Sequence, residues 1–287
     1  MPARSCSFRG ARAPRPPPSP DPPPAAGTEL ARPIPVRLWG FGLLFVIALT
    51  NASAAAAPVA VRVPESASHG FLVLRGANGD VLAHGEFVQA PKGQRIESRL
   101  TFRFKDGSLW DETVTFTQQR VFRLMTYHHV QRGPSFSAAT DVTFDRDTGR
   151  YQTKVDDKTD DGKIELPEDL HNGITGTILK NLAPGASAAG HMLAFTPKPY
   201  RLDTTLRAEG EDRFFAGDVA RTATRYLLKM ELRGLTGVVA SIIGKDPPQV
   251  RYWISNGAAR GFVKFEGPMF LNGPRWRVEL AGPRWER

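Results

Sequence analysis

The sequence contains a single cysteine, Cys6, among its 287 residues. One thiol excludes an intramolecular disulfide framework and any cysteine-based zinc site. The six histidines do not form a zinc set either, since His128 and His129 are adjacent and the other four are isolated. No Gly-x-Ser-x-Gly segment is present, so the nucleophile elbow of α/β-hydrolases is missing. The formal charge is +9, but the basic residues are interspersed with acidic ones, which argues against a nucleic-acid partner.

The first 57 residues differ in composition from the rest of the chain. Eleven of the 24 prolines precede Pro58, and residues 14–24 are PRPPPSPDPPP. Such a segment cannot pack into a core and favours extended polyproline conformations. We therefore expect residues 1–36 to be a disordered Pro-rich leader, which a start codon assigned too far upstream would explain.

A secretory signal is predicted for residues 37–57. Arg37 is followed by twelve apolar residues, LWGFGLLFVIAL, and then by a run of small residues that includes Ala54 and Ala56. This order is typical of a cleaved signal peptide. The alternative is a single N-terminal membrane anchor, although twelve residues are short of the roughly 20 that span a bilayer. The sequence thus predicts an exported protein, periplasmic or secreted, with one β-rich domain at residues 58–287.

From residue 70 onward, short apolar runs alternate with turn residues. Asn78-Gly79 separates two of these runs and is a strong β-hairpin signal. Residues 95–104 alternate in polarity as a half-buried strand does. The predicted strands cover residues 70–75, 81–88, 95–104, 110–117, 121–131, 141–145, 150–156, 192–197, 200–209, 213–217, 222–232, 249–255, 261–266 and 275–280.

Two helices interrupt these strands. The first follows Pro167, and the second, at residues 235–243, is apolar nearly all round, so that it is either a buried helix or a lid over an apolar ligand. The apolar stripe of the first helix consists of Leu170, Ile174, Ile178 and Leu182. The predicted fold class is mainly β, with two short helices: a curved antiparallel sheet or partly open β-barrel closed by a helix.

Hydrophobic matching also predicts how neighbouring strands pair. A three-residue loop at 106–108 places Phe104 opposite Trp110, and the next hairpin then places Trp110 beside His128. On this register, Glu112 and His128 lie diagonally across two strands on the same inner face. Both residues interrupt rows that are otherwise apolar.

The Glu112–His128 pair is the candidate catalytic site. A carboxylate that orients an imidazole is the beginning of acid–base or nucleophilic machinery. The nearest hydroxyl is that of Thr126, and no clear nucleophile accompanies the pair. The alternative is a buried hydrogen bond or a polar lining of a cavity, because buried polar groups must be paired. Strand alternation predicts that His129 points outward.

Six segments stand out as motifs: DGSLWDET (106–113), TYHHVQRGPSF (126–136), LPEDL (166–170), TPKP (196–199), GVVASIIGKDPP (237–248) and FVKFEGPMFLNGPRWRVEL (262–280). Together they resemble a family of exported bacterial proteins of unknown function, over roughly residues 70–281. The resemblance implies an export signal and a curved antiparallel sheet. It supplies no activity and no catalytic residues.

A calcium site is the alternative suggested by residues 157–168. An EF-hand loop requires oxygen ligands at positions 1, 3 and 5, glycine at position 6 and a bidentate Glu at position 12. In this segment those positions hold Asp157, Thr159, Asp161, Gly162 and Glu168. The segment that precedes the loop has a strand pattern rather than a helix pattern. A turn between two strands, with solvated acidic residues, is therefore the competing interpretation.

Three functions follow from these observations. The first is a non-enzymatic binding module of the cell envelope for an apolar or amphiphilic ligand such as a lipid, which would bring it into peripheral contact with the membrane. The aromatic row that would line its cavity or fill its core is Phe102, Phe104, Trp110, Phe116, Phe122 and Leu124. The second is an envelope hydrolase that uses Glu112 and His128, and the third is a calcium-stabilised envelope or adhesion module. No cofactor other than this calcium ion is expected.

Overall fold

The structure is a computed structural model that describes residues 57–196, 198–231, 249–270 and 272–285. The predicted leader, the signal segment up to residue 56 and the second predicted helix lie outside the described residues. The described elements are β1 (Ser68–Arg75), β2 (Val81–Lys92), β3 (Arg95–Phe104), β4 (Leu109–Gln118), β5 (Phe122–Arg132), β6 (Thr140–Asp145), β7 (Arg150–Val155), β8 (Lys158–Lys163), α1 (Thr175–Asn181), β9 (Ser187–Phe195), β10 (Pro199–Ala216), β11 (Val219–Glu231), β12 (Val250–Ser255), β13 (Phe262–Gly267), β14 (Trp276–Leu280) and β15 (Arg284–Trp285).

All fifteen strands belong to one antiparallel sheet. Strands β1 to β8 follow one another as a meander, and β10 to β14 form a second run that joins the first where β14 pairs with β1. Both β9 and β15 pair with the outer side of β10. Within the described ranges, β8 lies at one end of the strand order and forms no hydrogen-bonded ladder with the strands at the other end. The sheet is therefore not closed. The predicted mainly β, antiparallel fold class is confirmed.

The described part of the chain contains one α-helix, α1, which begins several residues later than predicted. All four positions of the predicted apolar stripe are nevertheless buried, and α1 contacts β12. No helix in the described ranges combines the length and the apolar character needed to cross a bilayer.

Two sets of partly buried polar contacts hold the C-terminal end of α1 in place. The Asn181 side-chain oxygen accepts hydrogen bonds from the backbone N–H groups of Arg62 and Val63, each at 2.7 Å. At the same end of the helix, Arg260 Nη1 donates to the carbonyls of Lys180 and Leu182 at 2.7 and 3.1 Å. A guanidinium at a helix C-terminus satisfies carbonyls that have no partner within the helix and complements the helix dipole.

The observed register of the β3–β4 hairpin differs from the predicted register by two positions. Phe102, rather than Phe104, lies opposite Trp110, because the turn that begins at Phe104 is longer than the predicted loop. A shift by two residues changes each cross-strand partner but leaves every side chain on its predicted face, because the period of a strand is two.

The next hairpin contains a β-bulge that reverses the faces. Thr115 pairs with Thr126 and Phe116 pairs with Leu124, so Met125 has no partner on β4. An extra residue of this kind exchanges the two faces for the rest of the strand.

The bulge makes the predicted placement of the two histidines wrong. His129 is buried at 7% exposure, whereas the side chain of His128 is 52% exposed. His128 Nε2 contacts Asp141 Oδ1 on β6 at 3.0 Å, on the solvent side of the sheet. Glu112 lies directly opposite His129 and not near His128.

The segment predicted as a calcium loop contains an extended strand. Residues Lys158–Lys163 form strand β8 and pair with β7 along their whole length. An extended strand spreads residues that an EF-hand loop would wrap around one ion. Glu168, the predicted bidentate ligand, instead contacts Arg123. Within the described ranges, no group of three His, Cys, Asp or Glu side chains is arranged to hold a metal ion.

The two adjacent histidines provide a direct test of the bulge. His129→Ala removes a buried ring that packs against Trp110 with ring centroids 4.1 Å apart, so we expect it to lower the free energy of unfolding by about 2–4 kcal/mol. His128→Ala changes an exposed side chain and should stay within about 0.5 kcal/mol of the wild type. Urea denaturation of both variants measures the difference. Equal losses would contradict the observed faces of β5.

Candidate functional site

The inner face of the sheet surrounds a cavity of about 1160 Å³. Apolar side chains from distant strands line it, among them Met192, Leu228 and Phe265. The exposed residues Asp157 and Lys158, at the β7–β8 turn, also line it, so the cavity reaches the surface there.

The predicted aromatic row divides between this cavity and the packed core. Phe102 and Trp110 line the cavity. The remaining members, which are buried in the hydrophobic core and are not part of the lining, are Phe104, Phe116, Phe122 and Leu124. The row therefore supplies one wall of the cavity and much of the core beneath it.

Glu112 is an acidic residue in this mostly apolar lining. The Tyr127 hydroxyl donates a hydrogen bond to Glu112 Oε2 at 3.0 Å. Gly173 lies behind the carboxyl group with φ 68°, and a Cβ at this position would be 2.5 Å from Val114 and 3.1 Å from Glu112 Oε1. Glycine therefore allows the loop before α1 to close over Glu112, both because of its left-handed backbone and because of its missing side chain.

The surroundings of Glu112 strongly disfavour its charged form. Burial raises the pKa of Glu112 to about 7, and the hydrogen bond from Tyr127 only partly opposes this rise. Burial also raises the pKa of Tyr252 on β12, and the negative charge of Glu112 contributes to that shift. The two tyrosines and the carboxyl group thus form one buried polar cluster, contributed by β4, β5 and β12.

His129 adjoins this cluster without adding charge to it. Burial lowers the pKa of His129 to about 4, against the opposing effect of its contact with Gln131. Its Nε2 lies 3.4 Å from Gln131 Oε1, while its Nδ1 and the indole nitrogen of Trp110 have no hydrogen-bond partner within the described residues. The imidazole is therefore neutral at neutral pH and does not compensate the carboxylate of Glu112.

The two basic residues in the lining near α1 are already engaged. Lys180 Nζ lies 2.5 Å from Glu65 Oε1, and both side chains are largely buried. Arg260 is held by backbone carbonyls at the end of α1 and by the Tyr226 hydroxyl. Glu112 consequently faces the cavity without a cationic partner among the described residues.

The predicted pair and the observed cluster share only Glu112. The structure does not bring Glu112 and His128 together, and Tyr127, His129 and Tyr252 were not predicted from the sequence. One signal for the bulge was present, because two adjacent apolar residues, Leu124 and Met125, break the alternation and are both buried. No local sequence pattern identifies Tyr252 as a residue of this site, since it lies on a strand more than a hundred residues from Glu112.

Comparison with known proteins gives little further information. No family model and no curated protein matches the chain. Among solved structures, the chain is similar to the crystal structure of a beta-barrel-like protein of domain of unknown function DUF1849 from Brucella abortus, with 9% identity and a TM-score of 0.43. The match covers 81% of this chain and 100% of that chain. A likeness at this level carries no argument about function.

The raised pKa of Glu112 predicts a specific pH dependence of stability. A carboxyl group whose folded pKa is about 7, against an ordinary value of 4.5, stabilises the fold only while it is protonated. Its contribution is complete below about pH 4.5 and falls by about 3 kcal/mol as the pH rises through 7. The side chain of the Glu112→Gln variant cannot ionise. Its free energy of unfolding, relative to that of the wild type, should therefore increase by about that amount between pH 4.5 and 7.5.

Urea denaturation of both proteins at several pH values measures this difference. Other titrating groups, including the buried His129 and His171 with their lowered pKa values, are present in both proteins and cancel. A difference that stays constant with pH would contradict the assigned environment of Glu112.

Proposed function

We propose that the protein is a binding module for an amphiphilic small molecule, held in the cavity on the inner face of the sheet. The observation that carries this proposal is the cavity itself, with its volume of about 1160 Å³ and its mainly apolar lining. Small-molecule sites are usually concave, mostly apolar and about 300–1000 Å³ in volume, with a few placed polar groups. This cavity lies slightly above that range and suits a molecule with a long apolar body, such as a single-chain lipid.

The arrangement of the lining favours a ligand with two chemically different ends. Phe102, Leu228 and Phe265 offer apolar surface, whose removal from water is worth roughly 25 cal/mol per Å². Glu112 and Tyr127 offer a polar end within the same space. An amphiphile satisfies both regions, whereas a purely apolar molecule would give the buried carboxyl group no partner beyond the Tyr127 hydroxyl.

Binding is better supported than hydrolysis. The hydrolase alternative depended on the Glu112–His128 pair, and His128 lies on the solvent face of the sheet. The groups that do adjoin Glu112 are two tyrosines with raised pKa values and a neutral histidine, and none of them is an activated nucleophile.

Cavity occupancy can be tested at Gly176 on α1. A Cβ at this position meets no atom within 4 Å, and Gly176 lines the cavity, so a larger side chain would extend into the open space. We expect the neutral fluorophore N-phenyl-1-naphthylamine to bind the wild type with enhanced emission. Gly176→Phe should weaken its binding by roughly tenfold or more, which corresponds to about 1.4 kcal/mol.

Gly176→Ala is the matched control, because it adds a single methyl group and should retain the affinity of the wild type. Thermal denaturation of both variants verifies that they are folded. If the phenylalanine variant is folded and binds the fluorophore as tightly as the wild type, ligand binding in this cavity is refuted.

We also propose that the protein is exported, on the basis of the apolar run and the small residues at 37–57. N-terminal sequencing of the protein from periplasmic and secreted fractions should find a mature chain that begins between residues 55 and 58. A chain recovered from the membrane with residues 37–57 still attached would instead support the anchor alternative.

A further inference from the structure

We propose that Glu112 anchors the head group of the ligand and that this head group is cationic, so that the cavity selects alkylammonium amphiphiles over anionic ones. This inference rests on the proposed binding function and names the class of ligand. It follows from the charge balance of the lining and from the aromatic side chains around the carboxyl group.

The charge balance leaves one negative group to be compensated. Among the described cavity residues near α1, Lys180 is paired with Glu65 and Arg260 with backbone carbonyls. An anionic head group placed beside Glu112 would have to displace one of these internal partners. A cationic head group displaces none, because among the described residues Glu112 has only the neutral hydroxyl of Tyr127 as its hydrogen-bond partner.

Aromatic side chains supply the second argument. Tyr127 is hydrogen-bonded to Glu112, Tyr252 is close enough to be influenced by its charge, and Trp110 lies two residues away on the same face of β4. Aromatic rings beside a carboxylate are the surroundings that recognise quaternary and protonated amines, since the negative faces of the rings attract the cation. The negative faces of the same rings do not attract a phosphate or carboxylate head group.

The titratable groups that face Glu112 do not change their own charge in the pH range in which Glu112 ionises. Among the described residues, those that face Glu112 include Tyr127 and His129 from β5, Tyr252 from β12 and Gly173 from the loop before α1. His129 is neutral above about pH 4, and burial raises the pKa of both tyrosines. Between pH 5.5 and 7.5, Glu112 is therefore the member of this cluster that changes its charge.

The experiment compares three ligands that share a ten-carbon chain: decyltrimethylammonium, decanol and decanoate, each below its micellar concentration. The permanent charge of the first keeps the ligand itself from titrating. Isothermal titration calorimetry on the purified wild-type protein at pH 7.5 should show the cation binding at least about tenfold more tightly than decanoate. Its affinity should fall by about tenfold or more at pH 5.5, because Glu112 becomes protonated, whereas decanol should bind equally at both values.

Two variants test whether the preference for the cation and its pH dependence come from Glu112. Glu112→Gln should abolish both the preference for the cation and its pH dependence, while still binding decanol. Asp141→Asn, which removes an exposed carboxylate on the solvent side of the sheet and outside the cavity lining, should leave both properties intact. If Glu112→Gln does not fold, the pH dependence of the wild type still decides the question.

The possible outcomes distinguish a failure of this inference from a failure of the proposed binding function. If none of the three ligands binds, the proposed binding function itself fails. If all three bind with similar affinity at both pH values, the cavity is a binding site but the cationic head group is refuted. Tighter binding of decanoate would likewise overturn the inference and would indicate that Lys180 or Arg260 receives the head group.

Discussion

The alternation of side chains along a β-strand is the constraint on which this protein depends. Most of the described strands keep one face apolar to bury a common core, and each of these does so only while its period of two is unbroken. The unpaired Met125 interrupts that period in the middle of β5. Beyond it, Tyr127 and His129 turn toward the cavity and His128 turns toward solvent. The polar cluster around Glu112 is thus a consequence of one inserted residue.

Much of the fold could be predicted because period-two patterns are local. Strands β1 to β7, the Asn78-Gly79 turn and the buried stripe before and within α1 were all predicted close to their observed positions. The faces in the β3–β4 hairpin were also right although its partners were wrong, since a two-residue shift preserves alternation. The bulge was not predicted because the alternation of polarity is regular on both sides of it. Only the face on which the apolar residues lie changes from one side of the bulge to the other.

Other errors came from contacts that no local pattern encodes. Strand β8 has no apolar alternation, and its strand conformation comes from backbone pairing with β7. Strand β10 continues through the predicted break because Gly210, at φ 155°, accommodates a register shift in its ladder with β11. The approach of Tyr252 to Glu112 depends on how the sheet brings β12 against β4. Tyr252 was therefore inaccessible to sequence reasoning, although Glu112 itself stood out as an acidic residue in an apolar row.

The composition of β8 has a consequence for how the molecule behaves at high concentration. This strand ends the hydrogen-bonded path of the sheet, and an uncovered edge is a template for pairing with another copy of the chain. Its sequence, KTDDGK, places four charged side chains on six residues, with a glycine and no large apolar group. Charged residues on an edge strand oppose intermolecular pairing. The segment whose acidic residues resembled a calcium loop acts in the folded protein as a barrier to edge-to-edge aggregation.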